Sequence, residues 1–354
     1  GFVQANHRAR KRPHTQLAQD MGIGIDIHWK WYQPLRNKYG FVMFLGHGAL
    51  IRRSAWAVVG GFPEIVSEDL AFAIALRERG YHGFFAEDVI CEEEFPESVR
   101  IFRVRHVKWT RGTCEFLLKW GLRLCRGRKI TFAEKVDILM PTLNLPMTFF
   151  FFLFMLNAQF VIPFVLGEFR PLTIEAGGVA FVLPVLSMKE EMNVVFSWDF
   201  YAITLVTILA PMLCFIVELW RTPLRLFRFL AHSGALYAAL SPLTFINVLG
   251  FAFTRTARFL VTGDANNGQL AAASDQTIRA RVARFWSETH PDSPVVRGFE
   301  FAVAFAILLA AVVGFQISLV GIGLGFLLLT RMHRIGWKQN TTRYAVYIPF
   351  SLML

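Results

Sequence analysis

Apolar residues along this chain follow two regimes. Up to about Gly127 they come in short runs separated by Gly, Pro and polar residues, the pattern of a mixed α/β domain; beyond it they gather into runs of membrane length. Within the first regime, Phe2-Val3 reads as a strand end followed by a solvated basic stretch from His7 to His14. Apolar runs on either side of Gly46-His47-Gly48, between Phe41 and Arg52, predict a strand, a tight backbone approach and a second strand. Gly60-Gly61-Phe62-Pro63 predicts a loop. Ser67 is placed to cap a helix that carries Leu70, Ala73, Ile74 and Leu76 on one side and that Gly80 stops. Phe84-Phe85-Ala86 with Val89-Ile90 predicts another short strand, and Glu92-Glu93-Glu94 a solvated turn.

In the second regime, residues 100–135 hold eleven Lys/Arg against Glu115 and Glu134, with Phe116, Leu117, Trp120 and Leu124 interleaved. Residues 111–136 are therefore expected to form an amphipathic interfacial helix, where each basic residue near an anionic leaflet contributes about 1 kcal/mol. Spans are expected near 138–166, 198–219 and 299–330. The connector between the first two is poor in Lys/Arg, so it is expected on the far side, with the chain back inside at Arg221, Arg225 and Arg228. Residues 254–297 are basic again, so the apolar stretch 231–253 is expected to lie in the interface or re-enter, which Gly234, Ser241, Pro242 and Asn247 suit. The last apolar run is long for one span and short for two, and a tight hairpin around Gly314, Gln316 and Ser318 is expected. Gly321-Ile322-Gly323-Leu324-Gly325 within it reads as a close helix-packing site.

Composition agrees: 54% hydrophobic residues and a mean hydropathy of +0.42 describe a membrane protein. The net charge of +11 raises nucleic acid as a partner, but the basic residues flank apolar runs, which points to the lipid bilayer and anionic substrates instead. Four cysteines without ligand spacing read as free thiols. Gly1 at the start and the short apolar run 344–354 at the end are expected to be internal to a longer protein.

Two strings carry candidate chemistry. Asp69, in Ser67-Glu68-Asp69, stands near a helix N-terminus that favours a carboxylate; it reads either as a general base, which transfer of a sugar to a hydroxyl requires, or as an ordinary first-turn acid. Arg105, Lys108 and Trp109 read either as a clamp, with cations for a departing diphosphate and an indole face for a sugar ring, or as a juxtamembrane basic segment.

In this order, and just before a membrane run, the strings resemble the processive membrane glycosyltransferases of family 2, which include cellulose, chitin and hyaluronan synthases and bacterial glucan synthases. Gly61-Phe62, Ser67-Glu68-Asp69-Leu70 and Arg79-Gly80-Tyr81 resemble that family's Gly-Gly-Phe loop and Thr-Glu-Asp finger helix. Arg105-His106-Val107-Lys108-Trp109 resembles its Gln-x-x-Arg-Trp signature, with Arg for Gln and Lys for Arg. Phe259-Leu260-Val261-Thr262-Gly263-Asp264 is similar to its Phe-x-Val-Thr-x-Lys gating loop, with Asp264 in place of Lys. Phe44-Leu45-Gly46-His47 is similar to its acceptor-site Phe-Cys-Gly-Ser segment.

The resemblance implies Asp69 as catalytic base. It gives diphosphate or acceptor contacts to Glu68, Arg105, Lys108, Trp109 and His47, and gating to Phe259, Val261, Thr262 and Asp264. It further implies a partial GT-A-type, Rossmann-like α/β domain (residues 1–110, acceptor half), followed by an α-helical membrane bundle (137–354) that includes a cytoplasmic gating loop near 254–297. The implied cofactor is Mg²⁺ or Mn²⁺. No Asp-x-Asp occurs in the sequence, so no metal ligand is assigned to this chain and the donor half is expected upstream, leaving the chain inactive alone. The implied activity is inverting transfer from a nucleotide sugar, UDP-glucose by analogy, to a growing polysaccharide, a β-glucan, at the cytoplasmic face of a bacterial inner membrane. The rival expectation is a non-enzymatic membrane channel or scaffold.

Overall fold

The computed structural model describes residues 1–12, 15–157, 161–162, 165, 167–188, 198–258, 291–313 and 320–328. The chain divides into two compact units, Gly1–Phe149 with Leu243–Val296 and Phe150–Pro242 with Arg297–Leu354.

The first unit is built on a three-stranded sheet. Strand β1 (Phe2–Ala9) leads through α1 (Gln16–Ile27), a π-helical turn His28–Tyr32 and α2 (Gln33–Tyr39) to β2 (Ala49–Ile51), α3 (Arg53–Val59), α4 (Glu68–Glu78) and β3 (Gly83–Glu93). The strand order is β2-β1-β3, with β1 antiparallel to β2 and parallel to β3. The stretch read as a solvated basic segment from His7 thus begins inside the central strand, and His7 is fully buried. Glu93 likewise belongs to β3 rather than to a solvated turn; a parallel partner on β1 extends β3 to eleven residues.

Residues 41–45 form a buried extended segment rather than a strand. Side chains supply the partners that a ladder would have given: Asp137 Oδ2 accepts from Phe41 N–H at 3.0 Å and Gln4 Oε1 from Leu45 N–H at 3.1 Å. Helix α4 starts after Ser67 as expected, although the Ser67 hydroxyl makes no capping bond, and its buried residues run from Ala71 to Leu76 all round the helix. It ends at Glu78, and Gly80, just past the Arg79 cap, turns the chain away at a φ of +91° that only glycine adopts without strain.

Helix α5 (Val99–Arg126) is one 28-residue element, so the expected boundary at residue 110 cuts through it. Phe116, Trp120 and Leu124 belong to the buried core with Phe72, Phe44 and Phe85, so these apolar positions pack on the domain rather than face lipid. Helix α6 (Phe132–Leu156) is tied to the same unit at its start. Glu134 takes two hydrogen bonds from Arg77, at 2.8 and 3.2 Å, and Asp137 one from Arg36 at 3.0 Å.

In the second unit β4 (Gly167–Ala176) and β5 (Val179–Met188) make an antiparallel hairpin about Gly177-Gly178, both at positive φ, a turn the sequence reading did not single out. The expected span 198–219 is instead α7 (Trp198–Leu209), a three-residue 3₁₀ turn Ala210–Met212 and α8 (Leu213–Leu219), because Pro211 has no N–H to continue the ladder. The stretch 231–253, expected to lie in the interface or re-enter, lies within the continuous 32-residue α9 (Pro223–Thr254). Asn247 within it donates its side-chain amide to the Leu243 carbonyl at 2.9 Å. Helices α6, α9 and α10 (Pro294–Val313) are the three, among the described residues, long and apolar enough to cross a bilayer by length and composition. Residues 320–328 are helical, and a methyl on Gly323 would lie 2.6 Å from Leu308 Cγ, so that glycine permits a close helix contact.

Candidate active site

Asp69 sits in the first turn of α4, partly buried, with its Oδ1 accepting from Leu70 N–H at 2.7 Å. Burial pushes its carboxyl up to about 6; the Leu70 N–H pulls back, the neighbouring Glu68 adds to the rise and Lys108 opposes it. The Gly46-His47-Gly48 turn lies against it, close enough that a methyl on Gly46 would stand 3.6 Å from Asp69 Oδ2. Gly46 (φ +77°) and Gly48 (φ +59°) hold that turn in left-handed conformations.

The two strings, about 36 residues apart, meet because the chain entering α4 docks on α5. Glu115 Oε2 accepts from Val66 N–H at 2.9 Å, and Gly112 leaves room for the chain in front of α4: a methyl there would be 2.9 Å from Val66 Cγ1 and 3.1 Å from Ser67 Oγ. Lys108 is brought within electrostatic range of Glu68 and Asp69; burial lowers its ammonium pKa and the two carboxylates partly restore it. Neither Gly112 nor Glu115 carried a motif of its own.

Arg105 and Trp109, one helical turn apart, stack with the guanidinium carbon 4.5 Å from the indole centroid, and the same guanidinium lies 4.9 Å from Phe95 and 5.3 Å from Phe102. Trp109 keeps 44% of its surface exposed.

His47 is exposed. Its Nδ1 faces the Leu45 carbonyl at 2.8 Å and its Nε2 lies 3.9 Å from Glu93 Oε2. The Glu93 carboxylate raises the His47 pKa against the effect of burial. Burial would raise Glu93, yet His47 and His7 outweigh it and hold the carboxyl down at about 2. Phe259, Val261, Thr262 and Asp264 lie outside the described residues.

A ring nitrogen of each of His7 and His47 and a Glu93 oxygen lie within 4.8 Å of one another, the arrangement nearest to a metal cluster among the described residues. Its hydrogen bonds argue against that use. With Gln4 Oε1 taken by Leu45 N–H, Gln4 Nε2 donates to the His47 and Gly48 carbonyls at 2.9 and 3.2 Å and faces His7 Nε2 at 3.3 Å. The His7 proton then belongs on Nδ1, pointing at Glu93 Oε2 3.2 Å away. Only two donors remain open, one of them an imidazole, whereas Mg²⁺ prefers oxygen. The three residues do not fit the Mg²⁺ or Mn²⁺ implied by the resemblance.

Residues 25–254 match the profile described as "Glycosyl transferase family group 2". Among curated proteins, the chain is 24% identical over 140 residues (39% of this chain, 27% of the relative) to "Probable glucomannan 4-beta-mannosyltransferase 9" of Oryza sativa subsp. japonica. It is 19% identical over 206 residues (56% and 39%) to "Glucomannan 4-beta-mannosyltransferase 1" of Cyamopsis tetragonoloba. To "Probable glycosyltransferase YdaM" of Bacillus subtilis (strain 168) it is 27% identical over 160 residues (45% and 35%). These matches span less than half the length of each relative.

Proposed function

We propose, from the premise that the chain belongs to glycosyl transferase family group 2, that it carries the acceptor side of a membrane-embedded inverting glycosyltransferase that extends a polysaccharide with hexose from a nucleotide sugar. The observation that carries this is the convergence on Asp69 of the glycine turn at His47 and the Lys108 side chain, around a carboxyl whose pKa of about 6 suits a general base.

In this reading the acceptor sugar lies on Trp109 and its hydroxyl gives its proton to an Asp69 oxygen as the new glycosidic bond forms. Lys108 balances the negative charge that collects on the departing diphosphate, and Glu68 stands beside that cation. Phe259, Val261, Thr262 and Asp264 are assigned to a gating loop by resemblance. Mg²⁺ or Mn²⁺ belongs to the proposal as a cofactor whose ligands come from outside these residues. The domain is assigned to the GT-A type and the cytoplasmic face of a bacterial inner membrane, the donor to UDP-glucose and the product to a β-glucan. A mannose donor is the second reading, favoured by the two relatives named as mannosyltransferases.

The test is incorporation of labelled hexose by membranes carrying the full gene product, supplied in parallel with UDP-glucose and with a nucleotide-activated mannose. Asp69→Asn is expected to lower turnover by roughly 10²- to 10⁴-fold with the active donor. Wild-type turnover in that variant removes Asp69 from the mechanism.

A further inference from the structure

We propose that Arg105 is a positioning residue for Trp109, holding the exposed indole as the surface on which the acceptor sugar lies, rather than a ligand of the diphosphate. The inference rests on the acceptor reading of Trp109 given above.

The geometry runs outward from the core in three layers. Phe102 is fully buried and Phe95 nearly so, their ring centroids 4.9 Å apart. The Arg105 guanidinium lies over both rings and over Trp109, at 4.9, 5.3 and 4.5 Å from the Phe95, Phe102 and Trp109 centroids. A plane of delocalised charge stacks on aromatic faces in a way that a lysine ammonium, a compact and strongly hydrated point charge, does not. Trp109 is a large side chain left 44% exposed on α5. Without a fixed neighbour its ring samples several rotamers, and a sugar must select one of them on binding. The spacing of four residues on a helix puts Arg105 beside it. Lys108 is the cation that senses Glu68 and Asp69 directly, so the charge beside the base is supplied from a different position than the stack.

The experiment measures KM for the nucleotide sugar and for a soluble β-1,4-linked hexo-oligosaccharide acceptor separately, in membranes with matched amounts of folded protein. The variants are Arg105→Lys, Arg105→Gln, Trp109→Ala and the double variant Arg105→Lys/Trp109→Ala. Arg105→Lys keeps the charge and loses the stacking plane, so it is expected to raise the acceptor KM roughly tenfold and leave the donor KM within about twofold. Arg105→Gln should match it. In the Trp109→Ala background, Arg105→Lys should add nothing further to the acceptor KM. The inference is overturned if Arg105→Lys leaves the acceptor KM unchanged, if its effect persists without the indole, or if Arg105→Gln raises chiefly the donor KM, the mark of a diphosphate ligand. If Trp109→Ala itself leaves the acceptor KM unchanged, the acceptor reading of the site fails and the inference goes with it.

Discussion

His7 Nδ1 and Glu93 Oε2 meet at 3.2 Å across 86 residues of sequence, because β1 and β3 run side by side and set His7 opposite Cys91, two residues from Glu93. The contact holds an ionised carboxylate between two imidazoles, His7 and His47.

Stability should therefore depend on Glu93 in a pH-specific way. Its folded pKa of about 2 lies below the ordinary carboxylate value of 4.5, so its contribution is full above 4.5 and is lost as pH falls toward 2. Glu93→Gln is expected to cost about 3 kcal/mol at neutral pH, with the gap to wild type closing between pH 4.5 and 2. Thermal unfolding of the detergent-solubilised protein across that range reads it; a gap that stays constant with pH would exclude the ionised pair as its source.

Asp69 has the opposite sign. Its carboxyl is raised from 3.8 to about 6, so the fold disfavours the charged form and Asp69 lowers stability as pH rises from about 4 to 6. Asp69→Asn should leave the protein about 3 kcal/mol more stable at pH 7 while removing activity. In the wild type kcat/KM should fall about tenfold per pH unit below 6, since only the carboxylate accepts a proton. A pH–rate profile flat down to pH 5 would contradict it.

Gly112 lets the chain before α4 close onto α5. A methyl at 2.9 Å from Val66 Cγ1 forces Val66–Ser67 outward, so Gly112→Ala should reduce turnover by one to two orders of magnitude through displacement of Asp69 from Lys108. Labelled-hexose incorporation with either nucleotide donor measures the loss, and melting temperature separates it from simple unfolding.

Asn247 is the α9 contact of a buried arginine: its Oδ1 accepts from Arg111 Nε at 3.1 Å, while Arg111 NH1 donates to the Thr256 carbonyl at 3.0 Å. Asn247→Ala should cost about 1–3 kcal/mol, because it strips an acceptor from a desolvated cation. Asn247→Leu, which keeps the branched shape and removes both polar atoms, should cost at least as much; a neutral result for both would show that water replaces the amide.

What was legible depended on range. The α4 start after Ser67, the Gly80 stop, the strand near Phe84 and the helix-packing glycine at Gly323 all follow from local chemistry and were readable from composition and spacing. The burial of His7 was not, because a polar strand is buried only when partners such as Trp29 and Glu93 are brought to it from elsewhere. The break at Pro211 was available in the sequence and lost within an apolar run, where hydropathy outweighs a single missing N–H.

Sequence alone carried the apolar runs long enough to cross a bilayer, the family resemblance and the presence of Asp69 and Trp109 in motifs, since composition and short strings need no long-range contact. Tertiary structure alone decided the surroundings of those residues: that Lys108 senses Asp69, that Arg105 stacks on Trp109, and that Gly112 and Glu115 seat one helix on the other. The reason is physical. A carboxylate's pKa, a ring's orientation and a glycine's necessity are set by what stands within a few ångströms, and here those neighbours come from up to tens of residues away along the chain.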